Sequence, residues 1–124
     1  MKPRNSVIRL KRFQVEEKRR QVGRIELMIE EFTRMIGELD YEIAAEHRRT
    51  GIEDEKHFAY STFARAARRR RDNLEASVAD LRGQLEAARA GLDLAEAELA
   101  QEEERLEREA TRDGVRLPAG QTAG

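Results

Sequence analysis

Branched apolar residues recur every seven positions from residue 8 to residue 43 of the chain, and a second apolar series follows them at an offset of three. An α-helix turns once in about 3.6 residues, so an apolar repeat of 3.5 residues stays on one face only when two helices coil around each other. The pattern therefore predicts a coiled-coil seam. Its members are Ile8, Val15, Val22, Ile29, Ile36 and Ile43, with Ile25, Phe32 and Leu39.

A second seam, now of leucine and alanine, lies in the other half of the chain. One of its series is Tyr60, Ala67, Leu74, Leu81, Ala88 and Ala95, and the other is Val78, Leu85, Leu92, Leu99 and Leu106. The polar stretch 51–58 separates the two seams and opens on Gly51, a residue type that ends helices because it adopts the left-handed conformation without strain.

These patterns predict an all-α fold, a long antiparallel two-helix coiled-coil hairpin over residues 1–112. We expect helix one at about 6–49, capped by Asn5 or Ser6, a turn at about 50–58 and helix two at about 59–111. Both prolines should lie outside the helices, and residues 113–124 should form a flexible tail.

Charge is distributed in blocks, although the net charge is only −1. Residues 1–24 carry nine Lys or Arg against two Glu, and residues 86–109 carry nine Asp or Glu against three Arg. Acidic residues between 26 and 46 would likewise lie beside Arg65 and the run Arg68–Arg71. Each exposed pair contributes only ~0.2–1 kcal/mol, but a parallel dimer would place like charges together, so the sum favours the antiparallel arrangement.

Composition argues against several classes of protein. A chain of 124 residues that is 40% charged and 5% aromatic lacks the apolar volume for a compact globular core. No apolar run approaches the ~18 residues of a membrane span, and no signal-peptide core is found at the start, so we expect a cytoplasmic protein without direct membrane insertion. The sequence has no phosphate-binding loop and no nucleophile beside a base, and it therefore predicts no enzyme and no cofactor.

Metal binding is also not expected. The chain has no cysteine, and His47 and His57 are ten residues apart across the predicted turn. We expect both histidines at the surface.

Four features have two interpretations each. Arg68–Arg71 is either a phosphate-binding cluster or a set of ion-pair partners for helix one, and the pairing is favoured, so no nucleic acid is expected. Leu10 and Phe13 lie outside the seam and either face solvent or cover the end of helix two. Lys11 and Lys18 interrupt the seam, as snorkelling side chains or as a loosened end. Ile52 and Phe58 either pack over the end of the seam or bind a partner.

Three stretches carry a resemblance to a known family. VIRLKRFQV at 7–15, EEKRRQV at 16–22 and HFAYSTFARAARRRRDNL at 57–74 resemble the flagellar export protein FliJ family, especially its alphaproteobacterial members. The resemblance implies a stalk-like component of the flagellar type III export apparatus, similar to the rotor stalk of rotary ATPases. The implied partners are the hexameric export ATPase, the cytoplasmic part of the membrane export gate and, further, export chaperones.

The resemblance also implies two binding surfaces and a location at the inner membrane through the export apparatus. The candidates for ATPase binding are Leu10, Lys11, Arg12, Phe13, Leu99 and Leu106. The candidates for gate binding are Tyr60, Phe63 and Ala67, of which Phe63 is expected to be the exposed anchor. The alternative is a generic coiled-coil chaperone or scaffold of another cytoplasmic complex.

Overall fold

The computed structural model describes residues 3–114, and two long helices account for most of them. Helix α1 spans Pro3–Thr50 and helix α2 spans Thr62–Arg112. No β-strand occurs within residues 3–114. The predicted all-α class is therefore confirmed, and the two helices pack against each other.

The chain divides into two compact units, and each unit contains a segment of both helices. The first unit combines Met1–Gln21 with Ala88–Gly124, and the second is Val22–Ala87, which includes the turn.

The core of the first unit is built from branched residues on α1 and small residues on α2. Ile8 and Val15 are buried on α1, and Ala88 and Ala95 are buried on α2. Alanine lets the axes of two helices approach closely, while the β-branched side chains fill the space between them. The predicted seam positions thus form the core of this unit.

Ion pairs join the two helical segments of the first unit. The first of the α1 residues, Arg4, pairs with residues 102 and 109 of α2, and the last, Arg19, pairs with residue 96, nearer the start of α2. The pairs are Arg4–Glu102 and Arg4–Glu109 at 2.5 and 2.8 Å, Lys11–Glu98 at 3.8 Å, Arg12–Glu103 at 3.1 Å and Arg19–Glu96 at 3.0 Å. The predicted pairing of the basic first segment with the acidic later segment is confirmed by these contacts.

The second unit uses the same seams on both helices. Its buried residues are Ile25, Ile43, Tyr60, Ala64, Ala67, Val78 and Leu81. Within residues 3–114, no large side chain is fully buried. Two helices alone cover a side chain from only two directions, so the larger core side chains keep some exposure to solvent, whereas the small Ala64 has none.

Polar residues in the seams are accommodated by partners. Glu46, Arg71 and Glu102 each lie seven residues from a named seam residue, and all three are half-buried and form at least one ion pair. Lys18 is exposed, and a Cβ on Gly91 would lie 3.9 Å from its Nζ. The outer part of the lysine side chain, from Cδ to Nζ, therefore lies beside the bare backbone of Gly91 while the residue as a whole stays exposed, in agreement with a snorkelling side chain.

The start of α1 differs from the sequence prediction. The helix begins at Pro3 and not near residue 6, so Asn5 and Ser6 lie inside it and are not its caps. Proline suits the first helical turn because its φ is already helical and its missing N–H would have had no partner there. The expectation that Pro3 lies outside the helix is wrong for this reason.

The end of α1 agrees with the prediction. Gly51 has φ +74°, and its N–H donates to the carbonyl of His47 at 2.8 Å. This left-handed residue closes the last turn and leaves the helix at Thr50.

Helix α2 begins at Thr62, about three residues later than predicted. Ser61 is its N-cap, since the Ser61 Oγ accepts from the N–H of Ala64 at 3.1 Å and its carbonyl accepts from Arg65 at 3.0 Å. Residues before it are held in turns, with the N–H of Tyr60 donating to the carbonyl of His57 at 3.1 Å. Gly114, at φ +74°, follows the other end, and the rest of the predicted tail, with Pro118, lies outside the described residues.

Candidate partner-binding surfaces

The segment Leu10–Phe13 of the first unit presents two apolar side chains to solvent. Leu10 is 54% exposed and Phe13 is 59% exposed, whereas the neighbouring seam residues Ile8 and Val15 are buried. The interpretation that Leu10 and Phe13 cover the end of helix two is therefore wrong. Both lie on the outward side of α1, where a partner can reach them.

The charged residues of the same segment are already engaged. Lys11 and Arg12 form ion pairs with Glu98 and Glu103, and Lys11 is half-buried. The structure thus brings the predicted ATPase-binding cations next to the acidic segment of α2. The positive charges of Lys11 and Arg12 are therefore not free for a partner, although the apolar side chains of Leu10 and Phe13 are accessible.

The α2 candidates Leu99 and Leu106 are half-buried seam residues, with only part of each side chain accessible. Leu94, which no sequence argument singled out, is 63% exposed in the same unit. Its position outside both α2 series was the signal that could have revealed it, because an apolar residue outside the seam faces solvent.

The three gate-binding candidates differ in accessibility. Tyr60 and Ala67 are buried between the helices, and Phe63 is 56% exposed. Phe63 is therefore the one of the three whose side chain a partner can contact directly, in agreement with its expected role as the exposed anchor. As binding residues, all three stay predictions.

Tyr60 is held by polar contacts as well as by burial. Its hydroxyl lies 2.7 Å from Nε2 of His47, the two rings are 5.5 Å apart, and the Arg65 guanidinium carbon lies 5.2 Å from the centre of the phenol ring. His47 is half-buried and not the surface residue expected from the sequence. This histidine and tyrosine connect the end of α1 to the residues that lead into α2.

A second polar link lies beside the first. Ser61 donates from Oγ to Glu46 Oε2 at 2.5 Å, and Arg49 Nε donates to Glu46 Oε1 at 2.6 Å. Hydrogen bonds from Arg49 and then from Ser61 lower the pKa of the Glu46 carboxyl from 4.5 to about 2. The N-cap of α2 is thereby attached to an ionised carboxylate on α1.

This carboxylate predicts a specific sensitivity to acid. Because the pKa of Glu46 is about 2 in the folded chain and 4.5 ordinarily, the unfolded chain takes up the proton first. Its stabilising contribution is complete above pH ~4.5 and is lost as the pH falls toward ~2. The difference in free energy of unfolding between wild type and Glu46→Gln should therefore shrink across this range, as measured by urea unfolding at a series of pH values.

A matched control is Glu42→Gln, which removes the same charge from an exposed position on α1. At neutral pH its free energy of unfolding should stay within about 0.5 kcal/mol of that of wild type, as for other exposed positions. A Glu46→Gln difference that does not change with pH would show that the Ser61 and Arg49 contacts do not hold the carboxylate ionised.

Phe58 in the turn does not pack over the end of the seam. Its side chain is 96% exposed and stacks on the His57 ring, with the ring centres 4.7 Å apart. His57 uses Nδ1 to accept from the N–H of Ala59 at 2.9 Å, which fixes the ring against the turn backbone. Ile52 is half-buried, so of the two turn residues only Phe58 differs from the expectation that they pack over the end of the seam.

The four consecutive arginines of α2 have different surroundings. Arg71 lies 3.2 Å from Asp40 and 2.9 Å from Asp72, and Arg68 Nε lies 2.8 Å from Glu55 Oε1 without the alignment of a hydrogen bond. The predicted pairing with α1 is thus confirmed for Arg71. Arg68 pairs with the turn instead of with α1.

The two middle arginines, Arg69 and Arg70, are exposed, and no carboxylate of residues 3–114 lies in ion-pair distance of either. The predicted pairing with α1 is therefore wrong for them. Consecutive helical residues are separated by about 100°, so a run of four cannot all face the same partner.

Comparison of the chain with protein-family models, with curated proteins and with solved structures gives no match. Within residues 3–114, no cluster of three or more His, Asp or Glu could hold a metal ion. In the same range, neither helix has a stretch long and apolar enough to cross a membrane.

Proposed function

We propose that the chain is an antiparallel two-helix coiled-coil hairpin that acts as a stalk-like component of the flagellar type III export apparatus. In this role it binds the export ATPase ring and the cytoplasmic part of the export gate, and it promotes ATPase assembly and protein export. It would therefore work at the cytoplasmic side of the inner membrane. Export chaperones are a further class of partner.

The hairpin proposal is supported by the order of contacts within each unit. Ion pairs run from Arg4–Glu102 to Arg19–Glu96 in the first unit, and Asp40–Arg71 lies in the second. In each unit the seam residues of both helices are the least exposed ones. Seven-residue periodicity together with opposite chain directions is the geometry of an antiparallel coiled coil.

The exposed pair Leu10 and Phe13 is the observation that carries the ATPase-binding proposal. These two side chains lie in the stretch 7–15, which resembles the FliJ family, and more than half of each is accessible although buried seam residues flank them. An exposed aromatic beside an exposed leucine is typical of a binding anchor. Lys11 and Arg12 would then serve to hold the helix pair together behind that anchor.

The proposal is tested by the ATP hydrolysis rate of the cognate export ATPase, measured across its assembly range with and without the chain. Wild type should stimulate hydrolysis and co-migrate with the ATPase. The double variant Leu10→Ala, Phe13→Ala should lose most of the stimulation, because truncating an anchor of ~2 kcal/mol weakens binding about 30-fold.

Leu27→Ala, Tyr41→Ala is the matched control. Both residues lie on the same outward heptad position of α1 as Phe13, and they are 67% and 71% exposed. This control should stimulate like wild type. Absence of both stimulation and co-migration by the wild-type chain would reject the export role and leave the helical fold without this function.

The alternative is a chaperone or scaffold of another complex. Exposed apolar side chains outside both candidate surfaces favour it, namely Leu27, Met28, Tyr41 and Leu94. Binding of unfolded clients by a chain that does not bind the ATPase would support this alternative.

A further inference from the structure

An exposed face near the start of α2 combines apolar surface with free positive charge. Ala66 lies three residues after Phe63, and Arg69 and Arg70 lie three and four residues after Ala66. All four residues are exposed. Helical residues at such spacings are neighbours on one side of the helix. We call this set the Phe63–Arg70 face.

We propose that the Phe63–Arg70 face binds an acidic segment of a partner protein that presents two carboxylates beside an apolar side chain. The inference rests on the proposed function in that it takes Phe63 to be part of a partner-binding surface, and it adds the chemical class of the partner.

Two adjacent arginines without a carboxylate partner among residues 3–114 distinguish this face. Arg4, Arg12, Arg19 and Arg71 are all paired with carboxylates of the same chain. Arg69 and Arg70 have no such partner among residues 3–114, and Arg70 has only Ala66, Ala67, Asn73 and Leu74 as helical neighbours.

The one acidic helical neighbour of Arg69 is already used. Asp72 lies three residues beyond Arg69, but its Oδ1 accepts from Nη2 of Arg71 at 2.9 Å and from its Nε at 3.2 Å. Both guanidinium groups of the Phe63–Arg70 face are therefore available to external carboxylates. The planar guanidinium matches a carboxylate through two parallel hydrogen bonds, which makes carboxylate binding specific.

The apolar half of the face selects a protein segment over nucleic acid. Phe63 is 56% exposed, and Ala66 beside it adds no bulk, so an apolar side chain can pack there. Strong binding to nucleic acid requires many phosphate contacts, whereas only two free arginines lie here, with Asp72 and Glu75 close by on the same helix. An acidic peptide with an interspersed apolar residue uses both halves of the face.

The test measures binding of the full chain to short synthetic probes by fluorescence anisotropy at low salt. The main probe is a peptide of repeated Glu-Glu-Phe triplets. A peptide of repeated Glu-Glu-Gly triplets lacks the apolar group, and single- and double-stranded DNA of equal charge represent nucleic acid. Sedimentation of the unliganded chain at increasing concentration tests whether a second copy occupies the face.

Arg69→Gln, Arg70→Gln should weaken binding of the Glu-Glu-Phe peptide about tenfold or more, since each charge-assisted hydrogen bond contributes strongly. Phe63→Ala should weaken binding of the same peptide and leave that of the Glu-Glu-Gly peptide nearly unchanged. All three positions are exposed, so the variants should keep wild-type helicity, which circular dichroism checks.

The double variant Arg19→Gln, Arg20→Gln is the matched control, because it removes two exposed charges that are already paired. Arg19 pairs with Glu16 and Glu96, and Arg20 pairs with Glu17. Its peptide affinity should stay within about threefold of wild type. Four results would overturn the inference: an equal loss in this control, no binding of the Glu-Glu-Phe peptide, tighter binding of DNA than of this peptide, or a chain that dimerises through Arg69 and Arg70.

These outcomes are separate from those of the ATPase experiment. Peptide binding through the Phe63–Arg70 face without any ATPase stimulation would reject the export role and retain the acidic partner. Stimulation of the ATPase without peptide binding would support the export role and reject the acidic partner.

Discussion

Replacing Tyr60 with alanine should lower the free energy of unfolding by about 3–5 kcal/mol, the cost of removing a buried aromatic side chain. Tyr60 is only 5% exposed, and its hydroxyl lies 2.7 Å from Nε2 of His47. Truncation therefore leaves a cavity beside the turn and deprives His47 of its hydrogen-bond partner. Urea unfolding followed by far-ultraviolet circular dichroism measures the loss.

Two further tyrosine variants separate the contributions. Tyr60→Phe keeps the ring and removes the hydroxyl, and it should cost about 1 kcal/mol. Tyr41→Ala truncates a tyrosine that is 71% exposed, and its effect should stay within about 0.5 kcal/mol of zero. If Tyr60→Ala were no more harmful than Tyr41→Ala, Tyr60 would not be part of the core.

The burial of Tyr60 also determines how partner-binding variants are interpreted. A loss of gate binding in Tyr60→Ala would follow from the loosened turn and not from a lost contact, because the side chain is enclosed by the two helices. The accessible test of direct contact is Phe63→Ala, which should weaken binding with little change in the free energy of unfolding. Measuring stability and binding on both variants distinguishes a structural residue from a contacting one.

The sequence was sufficient for the features that depend on a regular repeat. The seven-residue period gave the two helices and their buried residues, such as Ile8, Val15 and Leu81. It also gave the exposure of Phe63 and, as one of two interpretations, that of Phe13. These predictions succeed because the face on which a residue lies depends only on its position in the repeat.

The turn could not be predicted at the same level, because single hydrogen bonds decide its geometry. The cap formed by Ser61 delays the start of α2 until Thr62, and the bond between His47 and Tyr60 gives a role to a histidine expected at the surface. Phe58 is exposed and stacks on the ring of His57, which accepts a hydrogen bond from the N–H of Ala59. Nothing in an apolar repeat encodes these contacts.

The arginine run shows the same division. Periodicity excludes a single stripe of four charges, but it does not say which of them find carboxylates. Arg68 pairs with Glu55 of the turn, and Arg71 pairs with Asp40 of α1. Arg69 and Arg70 have no carboxylate partner among residues 3–114. The partner-binding surface inferred above depends on this outcome, so it emerges only from the three-dimensional arrangement.

Replacing Gly37 and Gly83 with alanine should stabilise the chain by about 2 kcal/mol in total, close to 1 kcal/mol for each site. Both glycines are exposed within the helices, and a Cβ added at either would meet nothing within 4 Å. Alanine loses less backbone entropy than glycine when a helix forms, and no clash offsets this gain. The double variant should therefore unfold at a temperature higher by about 4 °C per kcal/mol, as measured by thermal denaturation.

Gly51→Ala is the matched control, and we expect it to have the opposite sign. A Cβ at Gly51 would also meet nothing within 4 Å, but its backbone has φ +74°. An L-residue in this conformation costs about 1 kcal/mol or more, so the substitution should destabilise the chain although the space is equally open. Glycine-to-alanine substitution at the three sites thus separates the effect of backbone conformation from that of packing, because all three have open space and only Gly51 has a positive φ. Stabilisation at Gly51, or none at Gly37 and Gly83, would contradict the helix ends and interiors described here.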